Sequence, residues 1–192
     1  MSKPVIGVLG FSDGDKAAHE MLKPIVQAQV DAITNALRAD GRVEGVVAED
    51  IVHSDKTAKS YAEDLKAKGV DATIFAYGVF AFPVFSVIAA RYGKGPYLLA
   101  APFNPDWPGM VSMLAAGGGL DHEGIQHFRV AGDVNDKDVL EKIIKFAKCA
   151  KVVSRLNGQK YGLIGGRSLG MYSTTVSMQD WQEKFGIDVE HI

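Results

Sequence analysis

The sequence carries one short motif that is typical of nucleophilic enzymes. Residues 166–170 (GRSLG) match the G-x-S-x-G pattern, in which a serine stands on a sharp turn between a strand and a helix. A strand is expected before the motif, but residues 171–176 are polar and β-branched and do not favour a helix. The acid and base would also have to follow Ser168, and the few remaining residues cannot hold them together with the rest of a hydrolase sheet. A serine hydrolase is therefore not predicted.

Two other common chemistries lack their residue spacing. The glycines of residues 7–14 (GVLGFSDG) do not follow the G-x-G-x-x-G pattern of dinucleotide sites, and Asp13 and Asp15 would repel a pyrophosphate. The P-loop pattern does not occur. The five histidines include no H-x-x-x-H or H-E-x-x-H pair, and we expect them to be surface or core residues. We predict neither a nucleotide site nor a metal site that is complete within this chain.

The composition is that of a soluble globular protein. The 192 residues are 47% hydrophobic, and 21 Lys and Arg against 23 Asp and Glu give a net charge of −2. This balance lacks the basic surface of a nucleic-acid-binding protein. No apolar run reaches the ~18 residues of a membrane span, and no signal peptide is apparent. A single cysteine, Cys149, excludes an intrachain disulfide and is expected to be buried. We therefore predict a cytoplasmic protein that spans no membrane.

Short apolar runs alternate with helical patterns along the chain. Strands are predicted at residues 5–9, 43–48, 72–77, 97–101, 126–131 and 161–164. Helices are predicted between them. The first has a kink or a late start at Pro24 and an end at Asp40-Gly41, the second can be capped by Ser54, and the fourth ends at glycines 117–119. Apolar strands joined by helices predict an α/β fold, with a doubly wound, mostly parallel sheet of the flavodoxin-like or Rossmann-like type. The order of the strands cannot be predicted from this pattern.

The last residues favour the beginning of a second domain. Residues 165–172 form a long loop, residues 180–185 favour a helix, and residues 187–192 favour a new strand. A chain seldom ends on a strand without the helix that should follow it. We therefore expect an amino-terminal α/β domain over residues 1–165, and the junction and start of a truncated second domain over residues 166–192. The alternative is that the last strand joins the first sheet.

The loops at the carboxyl ends of the predicted strands are the expected place for a ligand. They are rich in Gly, Pro, Asp, Asn and aromatic residues, and three of them carry little net charge. This composition suits a polyhydroxylated neutral ligand or a subunit interface better than a phosphate, although Gly and Pro are also ordinary turn residues. Trp107 lies in a proline-rich loop of this kind. It could stack on a sugar, contact a subunit, or fold onto its own core.

Four segments, in this order, resemble the amino-terminal part of the L-fucose isomerase family, which includes D-arabinose isomerases. They are Asp13-Gly14, Tyr77-Gly78, Phe103-Asn104 with Pro108-Gly109, and residues 161–171 (YGLIGGRSLGM). Residues 185–190 (FGIDVE) are similar to the start of the family's second domain. The resemblance runs over most of the chain.

The resemblance implies a three-domain aldose–ketose isomerase, an intramolecular oxidoreductase that uses a divalent metal, usually Mn²⁺, and forms homo-oligomers, typically hexamers. Proton transfer between adjacent carbons would pass through an enediol. The family's metal ligands and catalytic carboxylates lie in later domains, so this chain alone is expected to be inactive and to help cover the sugar of a neighbouring subunit. The expected sugar contacts, chosen by their place at strand carboxyl ends, are Asp13, Asp15, Phe80, Asn104 and Trp107, with Ser168 near the domain junction.

Two positions depart from the family pattern. Members that act on fucose place Arg just after the Asp-Gly turn, where this chain has Asp15. They also place Trp near the Tyr-Gly segment, where this chain has Val79, Phe80 and Phe82. Both differences bear on which sugar is bound more than on how the chain folds, and the sequence does not identify that sugar.

Two other functions fit the same residues. The chain could be a stand-alone, flavodoxin-like module that binds a small sugar without catalysis. It could also be an interaction domain without a ligand, in which aromatic side chains form a subunit interface. The residues of that interface would be Phe80, Phe82, Phe85 and Trp107.

Overall fold

The computed structural model describes residues 2–192, except the side chains of Ser168 and Thr174. The strands are β1 (Val5–Gly10), β2 (Glu44–Val47), β3 (Ala72–Ala76), β4 (Tyr97–Ala101), β5 (His127–Ala131), β6 (Lys160–Leu163) and β7 (Asp188–His191). The helices are α1 (Lys16–Asp40), α2 (Asp55–Ala67), α3 (Pro83–Tyr92), α4 (Gly109–His122), α5 (Lys137–Leu156) and α6 (Met178–Phe185). Two 3₁₀ turns, Ser168–Gly170 and Tyr172–Thr174, lie between β6 and α6. No helix in this part of the chain is both long and apolar enough to cross a membrane.

Five parallel strands form the main sheet in the order β2-β1-β3-β4-β5. The central pairing joins β1 to β3, with Val8 opposite Ile74. The chain passes from β1 outward to β2 and then returns to β3 on the other side of β1, so the direction of winding reverses between β1 and β3. In doubly wound sheets, a ligand crevice opens at this reversal, beyond the carboxyl ends of the strands. The predicted α/β, doubly wound parallel fold is confirmed, with the flavodoxin-like strand order.

Two apolar cores cover the two faces of the main sheet. Alternate strand residues point to opposite faces, and in a sheet buried on both sides each set is apolar. One core combines residues such as Val8 and Ile74 with helices α1 and α5. The other combines residues such as Leu9 and Phe75 with helices α2, α3 and α4. Helices packed on both faces hold the strands in place. The loops at the strand ends are therefore the parts of this unit that can contact a ligand.

Helix α1 runs without interruption through Pro24. The predicted late start at Pro24 is wrong, because the helix begins at Lys16, where Asp15 caps it. A proline inside a helix costs about 3 kcal/mol through its missing N–H and its steric clash. The buried apolar face that follows, including Val26 and Val30, offsets that cost. The predicted end is confirmed, since Gly41 closes the helix with a left-handed φ of 75°.

Helix α4 continues through glycines 117–119, where its end was predicted. That prediction is wrong for a packing reason. Gly117 lies against the guanidinium of Arg129 on β5, and a Cβ at position 117 would stand 2.5 Å from Nη2. The missing side chain makes room for this arginine, which also donates to Asp121 at 2.8 Å. Here glycine serves close packing and does not end the helix.

Cys149 is exposed on α5, although the sequence placed it near the apolar stripe. The buried face of α5 is formed by Val139, Ile143, Ile144, Ala147 and Ala150. Position 149 lies between the last two of these in sequence and about 100° around the helix from each of its neighbours in the chain. The predicted burial of this thiol is therefore wrong.

The contacts divide the chain into two compact units, residues 1–150 and 151–192. In the second unit, β6 and β7 pair in parallel as a separate two-stranded sheet, with Lys160 opposite Asp188. Ser177 caps α6, and Gly186 ends that helix with a φ of 66°. A strand, a helix and a parallel strand form the kind of unit with which an α/β domain begins. A domain boundary at residue 165 stays a prediction, while the contacts in this structure place β6 with the second unit.

Candidate functional site

Three loops meet at the carboxyl edge of the main sheet, following β1, β3 and β4. A Cβ on Gly14, in the first loop, would stand 2.7 Å from the ring of Phe82 in the second loop. A Cβ on Gly109, at the start of α4, would stand 2.5 Å from the carbonyl oxygen of Tyr77 at the end of β3. Only glycine permits approaches this close. The Asp-Gly, Tyr-Gly and Pro-Gly segments of the sequence are therefore the places where neighbouring loops pack together.

Buried side chains support the three loops from below. The rings of Phe11 and Tyr77 stack with centroids 5.4 Å apart. The Tyr77 hydroxyl lies 2.7 Å from the Ser86 hydroxyl, and its complete burial raises the pKa of the phenol. The Ser112 hydroxyl on α4 accepts a hydrogen bond from the Ala81 amide at 3.0 Å. These contacts connect α3, α4 and the loop after β3.

Asp13 and Asp15 are both used to shape the loop after β1. Asp13 Oδ1 accepts a hydrogen bond from the Asp15 amide at 2.8 Å. Asp15 Oδ1 accepts from the Ala18 amide at 2.9 Å and so caps α1. Asp15 is exposed and Asp13 is half-buried. Each carboxylate has a second oxygen, Oδ2, that can accept a hydrogen bond from a hydroxyl group.

The aromatic and amide candidates lie on the other two loops. Phe80, after β3, is half-buried. Asn104, after β4, is exposed, and its Oδ1 accepts a hydrogen bond from the Asp106 amide at 2.9 Å. Trp107 is half-buried and packs against the core on the α1 and α5 face, which is one of the three alternatives that the sequence left open. Its ring is consequently less available for stacking than a fully exposed indole.

Two aromatic residues present more surface at this edge than the predicted aromatic sugar contacts, Phe80 and Trp107, which are half-buried. Phe103 is 72% exposed and Phe82 is 42% exposed. Phe103 lies two residues after the end of β4, and Phe82 covers Gly14 and stacks with Phe85 with ring centroids 5.6 Å apart. Phe103 was part of a recognised motif in the sequence, but its exposure depends on the fold and carries no sequence signal.

The structure brings five of the six predicted contact residues to one edge of the main sheet. Asp13 and Asp15 follow β1, Phe80 follows β3, and Asn104 and Trp107 follow β4. The sixth, Ser168, belongs to the second unit, and its side chain lies outside the described residues.

The residues at this edge do not fit a metal centre. Among the described residues, no group of three or more His, Cys, Asp or Glu side chains could hold a metal ion. Asp13 and Asp15 are adjacent acids whose Oδ1 atoms are already bound to backbone amides. What the edge can do is accept and donate hydrogen bonds and offer aromatic surface.

A second polar cluster lies beside this edge and was not predicted. His19, in the first turns of α1, stacks on His53, in the loop before α2, with ring centroids 4.2 Å apart. Lys23 and Asp50 form an ion pair of 2.6 Å between the same two elements. The two histidines are separated by more than thirty positions in the sequence, and no spacing rule connects them.

Comparison with known proteins places most of this chain in one family. A family model described as "L-fucose isomerase, first N-terminal domain" matches residues 3–158. An L-fucose isomerase of Bacteroides fragilis is 29% identical over 207 residues, which cover 98% of this chain and 34% of the relative. An L-fucose isomerase of Clostridium perfringens is 28% identical over 211 residues, covering 98% and 34%. One of Haemophilus influenzae is 28% identical over 171 residues, covering 83% and 28%.

The chain spans about a third of the length of the curated relatives it matches. The matched segment contains β1 to β5 and all three loops of the candidate site. The chain therefore belongs to the L-fucose isomerase family and corresponds to the amino-terminal part of its members.

Proposed function

We propose that this chain is the amino-terminal part of a cytoplasmic, metal-dependent aldose–ketose isomerase. In this proposal the chain self-associates, and the loops after β1, β3 and β4 cover the sugar bound at a neighbouring subunit. The observation that supports it most is the meeting of these loops at the sheet edge, with carboxylate, amide and aromatic side chains together. Side chains of these types form hydrogen bonds with sugar hydroxyl groups and pack against the apolar faces of sugar rings.

The proposed contacts follow from the chemistry of a sugar. Hydroxyl groups donate to carboxylate oxygens, so Oδ2 of Asp13 and of Asp15 would accept from them. The Asn104 side chain can both donate and accept. Phe80 and Phe103 offer apolar rings to the C–H faces of the ligand. The carboxylate of Asp15 can accept a hydrogen bond from a sugar hydroxyl. It disfavours a substrate that requires a positively charged side chain at position 15.

The isomerisation itself is proposed to take place on residues outside this chain. A divalent metal, by family resemblance Mn²⁺, would polarise the carbonyl and hydroxyl oxygens of the sugar. The described residues contain no group that fits such an ion. We therefore expect the 192-residue chain alone to be inactive, and its role in the whole enzyme to be covering the sugar without moving its protons.

The test uses the protein encoded by the natural gene and measures kcat and KM for a series of aldoses. Asn104→Ala and Phe80→Ala should raise KM several-fold with a smaller change in kcat, because they remove binding without removing the acid or base. Tyr92→Ala is a matched control, since this exposed aromatic residue lies at the other end of α3. An unchanged KM in both loop variants would contradict the proposed sugar contacts.

A second measurement tests whether isomerisation requires residues outside this chain. The purified 192-residue chain is incubated with Mn²⁺ and each aldose, and ketose formation is followed. Any turnover by this chain would contradict the proposal. A monomer that binds a sugar tightly without metal, encoded by a gene of the same length, would instead support a stand-alone binding module.

A further inference from the structure

The rings of the buried His19 and the half-buried His53 stack between two separate segments. They are nearly parallel, with an interplanar angle of 21° and centroids 4.2 Å apart. His19 is only 4% exposed. It belongs to α1 just after the Asp15 cap, whereas His53 belongs to the loop between β2 and α2. The contact therefore joins the start of α1 to the segment before α2.

Each ring is fixed to its own element. The His19 amide donates to the Asp15 carbonyl at 2.8 Å within the first turn of α1. His53 Nδ1 lies 3.3 Å from the Ile51 carbonyl, and the His53 amide donates to the Thr57 hydroxyl at 3.1 Å. Because the backbone that carries each ring is held by these hydrogen bonds, a change in the force between the rings acts on the two segments.

The surroundings of His19 favour its neutral form. Its Nδ1 is buried and has no hydrogen-bond partner among the described residues. Burial lowers the pKa of His19 below 6.5, and the neighbouring His53 and Lys23 lower it further. Glu20 and Asp50 act in the opposite direction but do not reverse the shift. Asp50 already has Lys23 as its partner at 2.6 Å.

Protonation of both rings would place two positive charges in this small space. Two imidazolium ions at stacking distance repel each other, and the repulsion is strong where water is excluded. The groups that face His19 are Glu20 and Lys23 on α1 and Asp50 and His53 on the adjoining loop. By formal charge the two acids balance Lys23 and one imidazolium, so protonation of both rings leaves one positive charge unbalanced.

We propose that His19 and His53 form a proton-sensitive contact that holds the start of α1 against the loop before α2 when both rings are neutral and releases it on acidification. The released region includes residues 12–22 and 48–54. Asp13 and Asp15 lie in the first of these segments, so the loop after β1 gains freedom at low pH. The contact needs neither a sugar nor any residue outside this chain, and it stands independently of the proposed isomerase role.

Hydrogen–deuterium exchange on the 192-residue chain tests this proposal. Exchange of residues 12–22 and 48–54 is compared at pH 7.5 and pH 5.0, after correction for the intrinsic effect of pH on exchange. Protection in these segments should fall at pH 5.0 by up to about 30-fold through His19, because that pH lies about 1.5 units below the unfolded histidine pKa of about 6.5. Protection of β4 should not change.

His19→Phe and His53→Phe keep a flat ring and cannot take a proton, so each should reduce the acid response to less than about a third of that in the wild-type chain. His122→Phe, an exposed residue at the end of α4, is the matched control and should keep the full response. A wild-type chain without the response, or a His19→Phe variant that retains it, would overturn the proposal.

Nuclear magnetic resonance gives a readout that does not depend on the folding of the phenylalanine variants. The His19 ring protons of the wild-type chain should titrate with a midpoint below 6.5. His53→Gln should move this midpoint upward, because it removes the like charge. A wild-type midpoint at or above 6.5 would contradict the neutral contact directly.

Discussion

The ring of Phe82 lies directly over Gly14, so that a Cβ at position 14 would stand 2.7 Å from Phe82 Cε2. Gly14 follows β1 and Phe82 follows β3, the two strands between which the winding of the sheet reverses. The contact joins the loops on the two sides of the expected ligand crevice. Phe85 adds a third surface, because its ring would stand 3.1 Å from the same Cβ.

Gly14→Ala should lower the free energy of unfolding by about 1–3 kcal/mol, since the added methyl group must displace two packed rings. The loss should be smaller in a Phe82→Ala background, where the nearest ring is absent. Urea unfolding of the wild type, both single variants and the double variant gives the coupling energy. Additive effects of the two substitutions would show that the Phe82 ring does not restrict the size of the side chain at position 14.

Alanine substitutions at the neighbouring glycines 117 and 118 of α4 should change the stability of the chain in opposite directions. Gly118→Ala should stabilise the chain by about 0.5–1 kcal/mol, because a Cβ there meets no atom within 4 Å and alanine favours a helix. Gly117→Ala should destabilise it, because its Cβ would displace the Arg129 guanidinium. Thermal unfolding of the two variants under one condition makes the comparison. Equal shifts of the same sign would contradict the packing reason given for Gly117.

The Asp15 cap can be separated from any role in sugar binding. Asp15→Ala should cost about 1 kcal/mol of stability, because it removes the side-chain acceptor for the Ala18 amide. Asp15→Asn should cost much less, since asparagine caps helices about as well as aspartate. Ser54→Ala, at the cap of α2, is the matched control and should resemble Asp15→Ala. A KM change in the stable asparagine variant would then report on sugar contact and not on capping.

Alkaline pH should reveal the burial of Tyr97. Burial raises the pKa of this phenol to about 12, against 10.0 for an ordinary tyrosine. The folded chain therefore keeps a proton that the unfolded chain releases, and this contribution to stability is present below pH 10 and is lost as pH rises toward 12. Tyrosinate absorbance should show late-titrating phenols, because burial raises the pKa of both Tyr77 and Tyr97. Tyr97→Phe should reduce this late component by one phenol, and Tyr92→Phe should leave it unchanged. At neutral pH, Tyr97→Phe should cost about 1 kcal/mol through its lost hydrogen bond to the Ala90 carbonyl. A titration with all phenols near 10 would contradict the buried position.

Local sequence signals predicted the features that depend on near neighbours. The apolar runs predicted the strands of the main sheet because both faces of that sheet are buried, and Ser54 and Gly41 were correctly expected to begin and end helices. The same local rules failed at Pro24 and at glycines 117–119. At both places, contacts with residues far along the chain outweigh the local preference for breaking a helix.

The sequence by itself determined the alternation of strands and helices, the α/β class, the family resemblance and the segments that carry candidate contact residues. Only the tertiary structure decided the strand order, the exposure of Phe103 and Cys149, the packing of Trp107 onto its own core, and the His19–His53 contact. The physical reason is the separation along the chain between the residues that interact. Helix caps, turns and burial patterns are set by residues within a few positions of each other. Strand order, exposure and ring stacking depend on which distant segments the whole core brings together.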